Sequence, residues 1–197
     1  MSGKMYIGLQ SQTMVPCDLT DVAYEHARHT WLCTGCCVPK PGIQAVDVYL
    51  QETPRDKPLN FVNGCGVNVV FTEFLEKLPQ DAVQSDLYLG NVFGPNGKQL
   101  TDWRTFRGRR RIIVRGSKKA GHRQCVNCGR DVYFAMGQRF LYPEPPKDVT
   151  LIESDLGLVL PQEIFAKSVI GRWPKLRIDM LPVLDMPRDG LGELLQA

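Results

Sequence analysis

Histidine is scarce in this chain: there are three in 197 residues, His26, His29 and His122. That leaves few candidates for imidazole acid–base chemistry. The signatures of common enzyme classes are also missing: there is no H-E-x-x-H, no G-x-S-x-G, no P-loop and no Rossmann glycine fingerprint. A zinc deaminase would need His-x-Glu ahead of Pro-Cys-x-x-Cys, but Glu25-His26 runs in the wrong order and Gln124 precedes Cys125. No apolar run approaches the roughly 18 residues of a membrane-spanning helix. The amino terminus, MSGKMYIGLQ, has neither a long apolar segment nor a small-residue cleavage site, so it does not read as a secretory signal. A cytoplasmic setting is the expectation.

What the chain does have is cysteine. There are seven: Cys17, Cys33, Cys36, Cys37, Cys65, Cys125 and Cys128. An odd count without an export signal argues against a disulfide framework. Four of them form two C-x-x-C knuckles, Cys33-Thr34-Gly35-Cys36 and Cys125-Val126-Asn127-Cys128. Two intervening residues let one tight turn aim both sulfurs at one ion, and zinc takes four such ligands as a tetrahedron. Gly129 follows the second knuckle, where the turn needs unusual backbone angles, whereas the first knuckle has Cys37 there. Cys37 in place of Cys36 would make a C-x-x-x-C spacing. The competing readings are unpaired thiols in two turns, or a redox C-x-x-C, although neither pair clearly opens a helix after a strand. Cys17 and Cys65 read as small buried hydrophobes. His26 and His29 can share a helical face, but a second metal there lacks a third ligand.

A site of four thiolates leaves no open position for substrate, so the expected zinc is structural and the protein non-catalytic. An enzyme using Cys37 or Cys65 as nucleophile would need a base, and no histidine is placed in sequence to serve.

The formal net charge of +3 conceals a strong asymmetry. Between Trp103 and Arg130 lie ten Lys or Arg and no acid, leaving 14 basic and 21 acidic residues elsewhere, a net of −7. Phe106 to Arg115 alternates: Phe106, Ile112 and Val114 fall on one face, and Arg107, Arg109, Arg111 and Arg115 on the other. That predicts a half-buried strand with a cationic outer side. It suits an acidic protein partner, with Trp103 and the four arginines as anchors. It also suits a nucleic acid bound along 104–130, with Trp103, Phe106 and Tyr133 to stack on bases, or simply a strand edge protected by charge.

The remaining pattern is punctuated by 18 Gly and 14 Pro, so elements should be short. Strands are expected at Met5–Gln10, Gln44–Gln51, Asp86–Phe93, Leu156–Leu160 and Leu176–Val183, with Val132, Phe134 and Met136 on another apolar strand face. A helix is expected over Asp18–His29 with Asp18 as cap. A second is capped by Thr72 and stopped by Pro79, and a third runs from Pro161 to about Ile170. GPNGK, from Gly94, reads as a turn, Pro54 to Pro58 as a loop, and the tail from Asp185 as frayed. The Pro-rich stretch Leu141–Lys147 divides a zinc-knuckle, strand-rich region, 1–145, from a strand–helix–strand region, 146–197, packed into the same domain. The fold class is α+β: a mostly antiparallel sheet with a few short helices, the two knuckles forming a zinc-ribbon-like staple.

This layout resembles the double-CxxCG motif proteins, which are bacterial immunity proteins of toxin–antitoxin pairs. The resemblance rests on a short strand and helix leading into Cys33-x-x-Cys36, a strand-rich middle with RTFRGRRR, the second knuckle CVNCGR, and the ending LGLVLPQEIFAKSV then LRIDMLPVLD. It implies Cys33, Cys36, Cys125 and Cys128 as metal ligands, a cognate toxin as partner, and no catalytic residues.

Overall fold

A computed structural model describes residues 4–11, 17–40, 42–54, 59–62, 66–118, 122–133, 136–154, 157–168, 173 and 176–184. The first half of the described chain holds β1 (Met5–Ser11), α1 (Asp21–Thr30), β2 (Val48–Tyr49), β3 (Leu59–Val62), β4 (Val67–Phe71), α2 (Thr72–Glu76), α3 (Gln80–Asp86) and β5 (Leu87–Phe93). There follow β6 (Gln99–Gly108), β7 (Arg111–Ile112), β8 (Val114–Lys118), β9 (His122–Gln124), β10 (Asp131–Tyr133) and β11 (Met136–Leu141). The chain ends with β12 (Ile152–Ser154), β13 (Gly157–Pro161), α4 (Gln162–Lys167) and β14 (Leu176–Pro182). The class is α+β with mostly antiparallel strands and short helices.

Two five-stranded sheets dominate, ordered β14-β1-β13-β12-β7 and β2-β5-β6-β4-β3. Each has one parallel pairing, β12 with β7 and β2 with β5. The sheets share one apolar core, because alternate residues of each strand face inward. Ile7, Leu9, Leu158 and Leu160 meet Leu59, Val70 and Phe106, with Phe74, Leu75, Ala82 and Val83 of α2 and α3 closing one side. The odd faces are also covered. Val67, Val69, Val92 and Trp103 pack against Ala27, Trp31 and Leu32 around α1. Tyr6, Val159 and Leu181 pack against Val114 and Leu141. Both β4 and β13 are therefore buried on two faces: β13 is a continuous apolar run, and β4 is broken only by the buried Asn68.

β8 pairs with β11 and β9 with β10, with the second knuckle at the turn between β9 and β10. The base of this arm joins the first sheet where Leu141 bridges to Val183 and Leu184 N donates to the Leu141 carbonyl at 3.2 Å. Strands from both sides of Leu141–Lys147 complete the first sheet, since β1 lies between β13 and β14 and β7 lies beside β12.

Several expectations are corrected. Thr20, not Asp18, caps α1, its hydroxyl accepting from Ala23 N at 3.3 Å. Thr72 lies inside α2, and its hydroxyl donates to the Thr101 carbonyl. Of Gln44–Gln51 only Val48–Tyr49 pairs as a strand. Pro79 ends one helix but also opens α3, which the reading from Asp86 onward misses. Pro161 completes β13, and α4 ends at Lys167; Ile170, Phe134, Cys65, Leu156 and the tail from Asp185 lie outside the described residues. Asp131–Tyr133 and Met136–Leu141 pair with different strands, β9 and β8, and do not continue one face.

The largest correction concerns Phe106–Arg115. It is the end of β6, a turn at 109–110, and the starts of β7 and β8. The chain leaves the second sheet because Arg109 N donates to the Asp86 carbonyl at 2.7 Å and Gly108 N to Glu153 Oε2 at 2.9 Å. Alternation in sequence cannot survive a change of sheet.

Candidate metal centre

The first knuckle follows α1 directly. Trp31 and Leu32 anchor it in the core beneath the second sheet, and Leu32 bridges to Pro39. The second knuckle is closed by the β9–β10 ladder, in which Gln124 pairs with Asp131. Cys33 N donates to the Val38 carbonyl at 3.0 Å and Cys37 N to the Cys33 carbonyl at 2.8 Å. In the second knuckle Cys125 N donates to the Arg130 carbonyl and Gly129 N to the Cys125 carbonyl, both at 2.8 Å. The two turns are the same turn, related by a shift of 92 residues.

Cys33, Cys36, Cys125 and Cys128 converge, with all four sulfurs within 4.8 Å of one another. Cys33 Sγ lies 3.7 Å from Cys125 Sγ, and Cys36 Sγ 3.8 Å from Cys128 Sγ. Sulfurs at the corners of a tetrahedron about 2.3 Å from its centre are about 3.8 Å apart. The donor set and spacing therefore fit a divalent ion held by four thiolates. Cys36, not Cys37, belongs to the set. Cys37 is exposed and takes the left-handed backbone conformation, φ 54°, that Gly129 takes at 67°. Among the described residues this is the one such cluster; His26 and His29 are exposed on α1, His29 facing Glu25 at 3.7 Å.

The electrostatics repeat the symmetry. Backbone N–H groups of Cys36 and Gly35 point at the Cys33 sulfur and lower its pKa to about 6. Those of Asn127 and Cys128 lower Cys125 likewise. Burial pushes Cys36 up to about 12. Cys128 also lies above its ordinary value: the Arg130 N–H favours its thiolate, but desolvation and hydrogen bonds with Cys33 and Cys125 outweigh that. The first sulfur of each knuckle thus gives up its proton more readily than the second, which must yield its own to an incoming cation.

Contacts outside the sulfurs lock the halves together. Asn127 Nδ2 donates to Thr34 Oγ1 at 3.0 Å, and Arg130 Nη1 to the Pro39 carbonyl at 2.9 Å. A Cβ on Gly35 would lie 2.9 Å from Cys125 Sγ, so only glycine lets the second knuckle approach this closely. Cys17 is buried in the core.

The proposed anchors do not share one face. Trp103 is buried against Phe71, ring centroids 5.3 Å apart. Arg107 is buried, its Nε donating to Glu153 Oε2 at 2.9 Å. Arg115 is part-buried, with Nε 3.4 Å from the Tyr142 carbonyl. Arg109 and Arg111 are exposed.

Sequence reasoning missed two buried carboxylates that shape this region. Glu153 receives Arg107 and Gly108 N. Asp86 receives Thr150 N at 2.8 Å and Leu151 N at 2.9 Å. The available cue was an acid placed inside or beside an apolar run. Also unforeseen is a cavity of about 790 Å³ between α1 and β2, lined by Val22, His26, Trp31 and Tyr49 among others. No helix among the described residues is long and apolar enough to cross a membrane. No protein-family model matches the chain, and the search of curated proteins found no match.

Proposed function

We propose that this is a non-catalytic immunity protein that binds and neutralises a cognate bacterial toxin, its fold stapled by a structural zinc ion. The observation that supports the metal-binding part is the convergence of four thiol sulfurs at tetrahedral spacing. A closed thiolate set uses every coordination position for protein, so the ion it holds stabilises rather than reacts. Zinc is favoured over other divalent ions by soft ligands in a tetrahedron. The toxin-binding part of the proposal rests on the resemblance to the double-CxxCG immunity proteins. It is supported by exposed cationic side chains at Arg109 and Arg111 in a basic segment whose surrounding chain carries a net −7. Occlusion needs area and a few central anchors, and exposed arginines supply anchors of that kind.

Four measurements test it. Elemental analysis of the purified full chain should give one zinc per molecule. Co-expression with a neighbouring toxin gene should yield a stable complex and protect the host. Reversing the charge of Arg109 and Arg111 should slow association by roughly tenfold at low salt. Unchanged association would remove these residues as anchors. Binding of generic duplex or single strands with steep salt dependence, in place of a protein complex, would favour a zinc-ribbon nucleic-acid accessory using 104–130.

A further inference from the structure

A second cavity, of about 280 Å³, lies where the two sheets and the knuckles meet. Lys40, Arg107, Arg109, Arg111 and Arg130 line it together with Tyr88, and its described lining contains no acid. The cations come from three places. Arg107 lies one residue before the end of β6, Arg109 and Arg111 leave the second sheet for the first, and Lys40 and Arg130 follow the two knuckles. Neutral groups hold several of them. Lys40 Nζ reaches the carbonyls of His29 and Thr30 at 3.4 and 3.3 Å, and Arg130 that of Pro39. The Arg109 guanidinium lies 4.2 Å from the centre of the Tyr88 ring and donates to the Gln84 carbonyl at 3.4 Å.

Arg107 supplies the independent observation. Its residue surface is only 6% exposed, and Glu153 engages its Nε. Its Nη1 is buried with no hydrogen-bond partner among the described residues. A buried guanidinium nitrogen left unpartnered costs free energy, and so does crowding cations into a concave, partly desolvated space. Neither is a route to stability. An oxyanion in the cavity offsets the crowded charge, and planar arginine forks match phosphate oxygens in pairs.

We propose that this cavity is an oxyanion site that takes the phosphate group of a small phosphate monoester, with Arg109, Arg111, Lys40 and Arg130 around the phosphate and Arg107 behind it. The volume exceeds that of a lone phosphate, so part of the esterified group enters beside Tyr88. This goes beyond toxin binding and needs no partner protein.

The test is calorimetric titration of the metal-loaded full chain with inorganic phosphate and with adenosine 5′-monophosphate, at constant ionic strength against chloride. One saturable site is expected, tighter for the monoester than for free phosphate. R109Q and R111Q, both at exposed positions, should each weaken it by about tenfold or more, the loss of one charge-assisted contact. R104Q should bind as the unaltered chain does, because Arg104 bonds to Asn91 outside the cavity. Circular dichroism confirms that each variant is folded. Phosphate binding no tighter than chloride would overturn the proposal, as would full affinity in R111Q, or binding confined to long oligonucleotides. Toxin neutralisation is read separately, from formation of the complex, so failure of the phosphate site and failure of that reading are distinguishable.

Discussion

Residues 33–38 and 125–130 make one turn twice, from different letters. Both close with the same pair of backbone hydrogen bonds, and both lower the pKa of the first sulfur and raise that of the second. They differ where side chains meet geometry. The left-handed position is Gly129 in one and Cys37 in the other, and the close-approach position is Asn127 in one and Gly35 in the other. The backbone and the sulfurs fix the shape of a knuckle. The residues between and after them set its cost and its fit to its twin.

The largest effect should come from the sulfurs. Cys33→Ser and Cys128→Ser, one in each knuckle, should both abolish stoichiometric metal binding and lower Tm alike, because either loss opens the shared site. The free-energy loss should be several kcal/mol, below the roughly 10–16 kcal/mol of zinc-dependent peptides that have no core of their own. Metal content and thermal melting with and without chelator measure it. Unequal losses would show that one knuckle folds independently of the other.

Acidification should act next. Protons compete for all four sulfurs, so metal affinity should fall as pH drops from about 8 to about 6. Cys36, at about 12, and Cys128, also raised, hold protons at neutral pH in the metal-free protein, and binding must release them. Titration in buffers of different ionisation enthalpy counts the protons. Release of none at neutral pH would contradict the asymmetry within each knuckle.

Gly35→Ala should weaken metal binding, since its Cβ would meet Cys125 Sγ at 2.9 Å, whereas Asn127→Ala at the matching position should lose only the Thr34 hydrogen bond, about 1 kcal/mol. The smallest and most pointed pair swaps the left-handed residue. Cys37→Gly should stabilise the fold by about 1 kcal/mol, and Gly129→Ala should destabilise it by a similar amount. Denaturant melts resolve both, and stability changes of the same sign would break the equivalence of the turns.

The four clustered cysteines were legible because a C-x-x-C spacing is a local constraint: one turn decides where two sulfurs point. Strands such as Leu87–Phe93 and Leu176–Pro182 were legible for a related reason, as apolar patterns bounded by turn residues. The hairpin of β3 and β4 and the long β6 were not: β4 and the second half of β6 are buried on both faces and lose their alternation. The cationic face failed in the opposite way. Arg107, Arg109, Arg111 and Arg115 alternate in sequence, but Asp86 and Glu153, distant in the chain, turn the backbone between sheets and draw Arg107 inside.

Sequence alone determined the chemistry available: soft sulfur donors in two matched pairs, scarce imidazole, and a basic segment whose surrounding chain is net acidic. Tertiary structure decided which groups meet. It brought Cys33 to Cys125 and Cys36 to Cys128, excluded Cys37, and gathered Lys40, Arg107 and Arg130 around one cavity. The reason is range. A turn's geometry is set by neighbours a few bonds away, whereas a site joined across 92 residues exists only once buried sheets hold its halves in place.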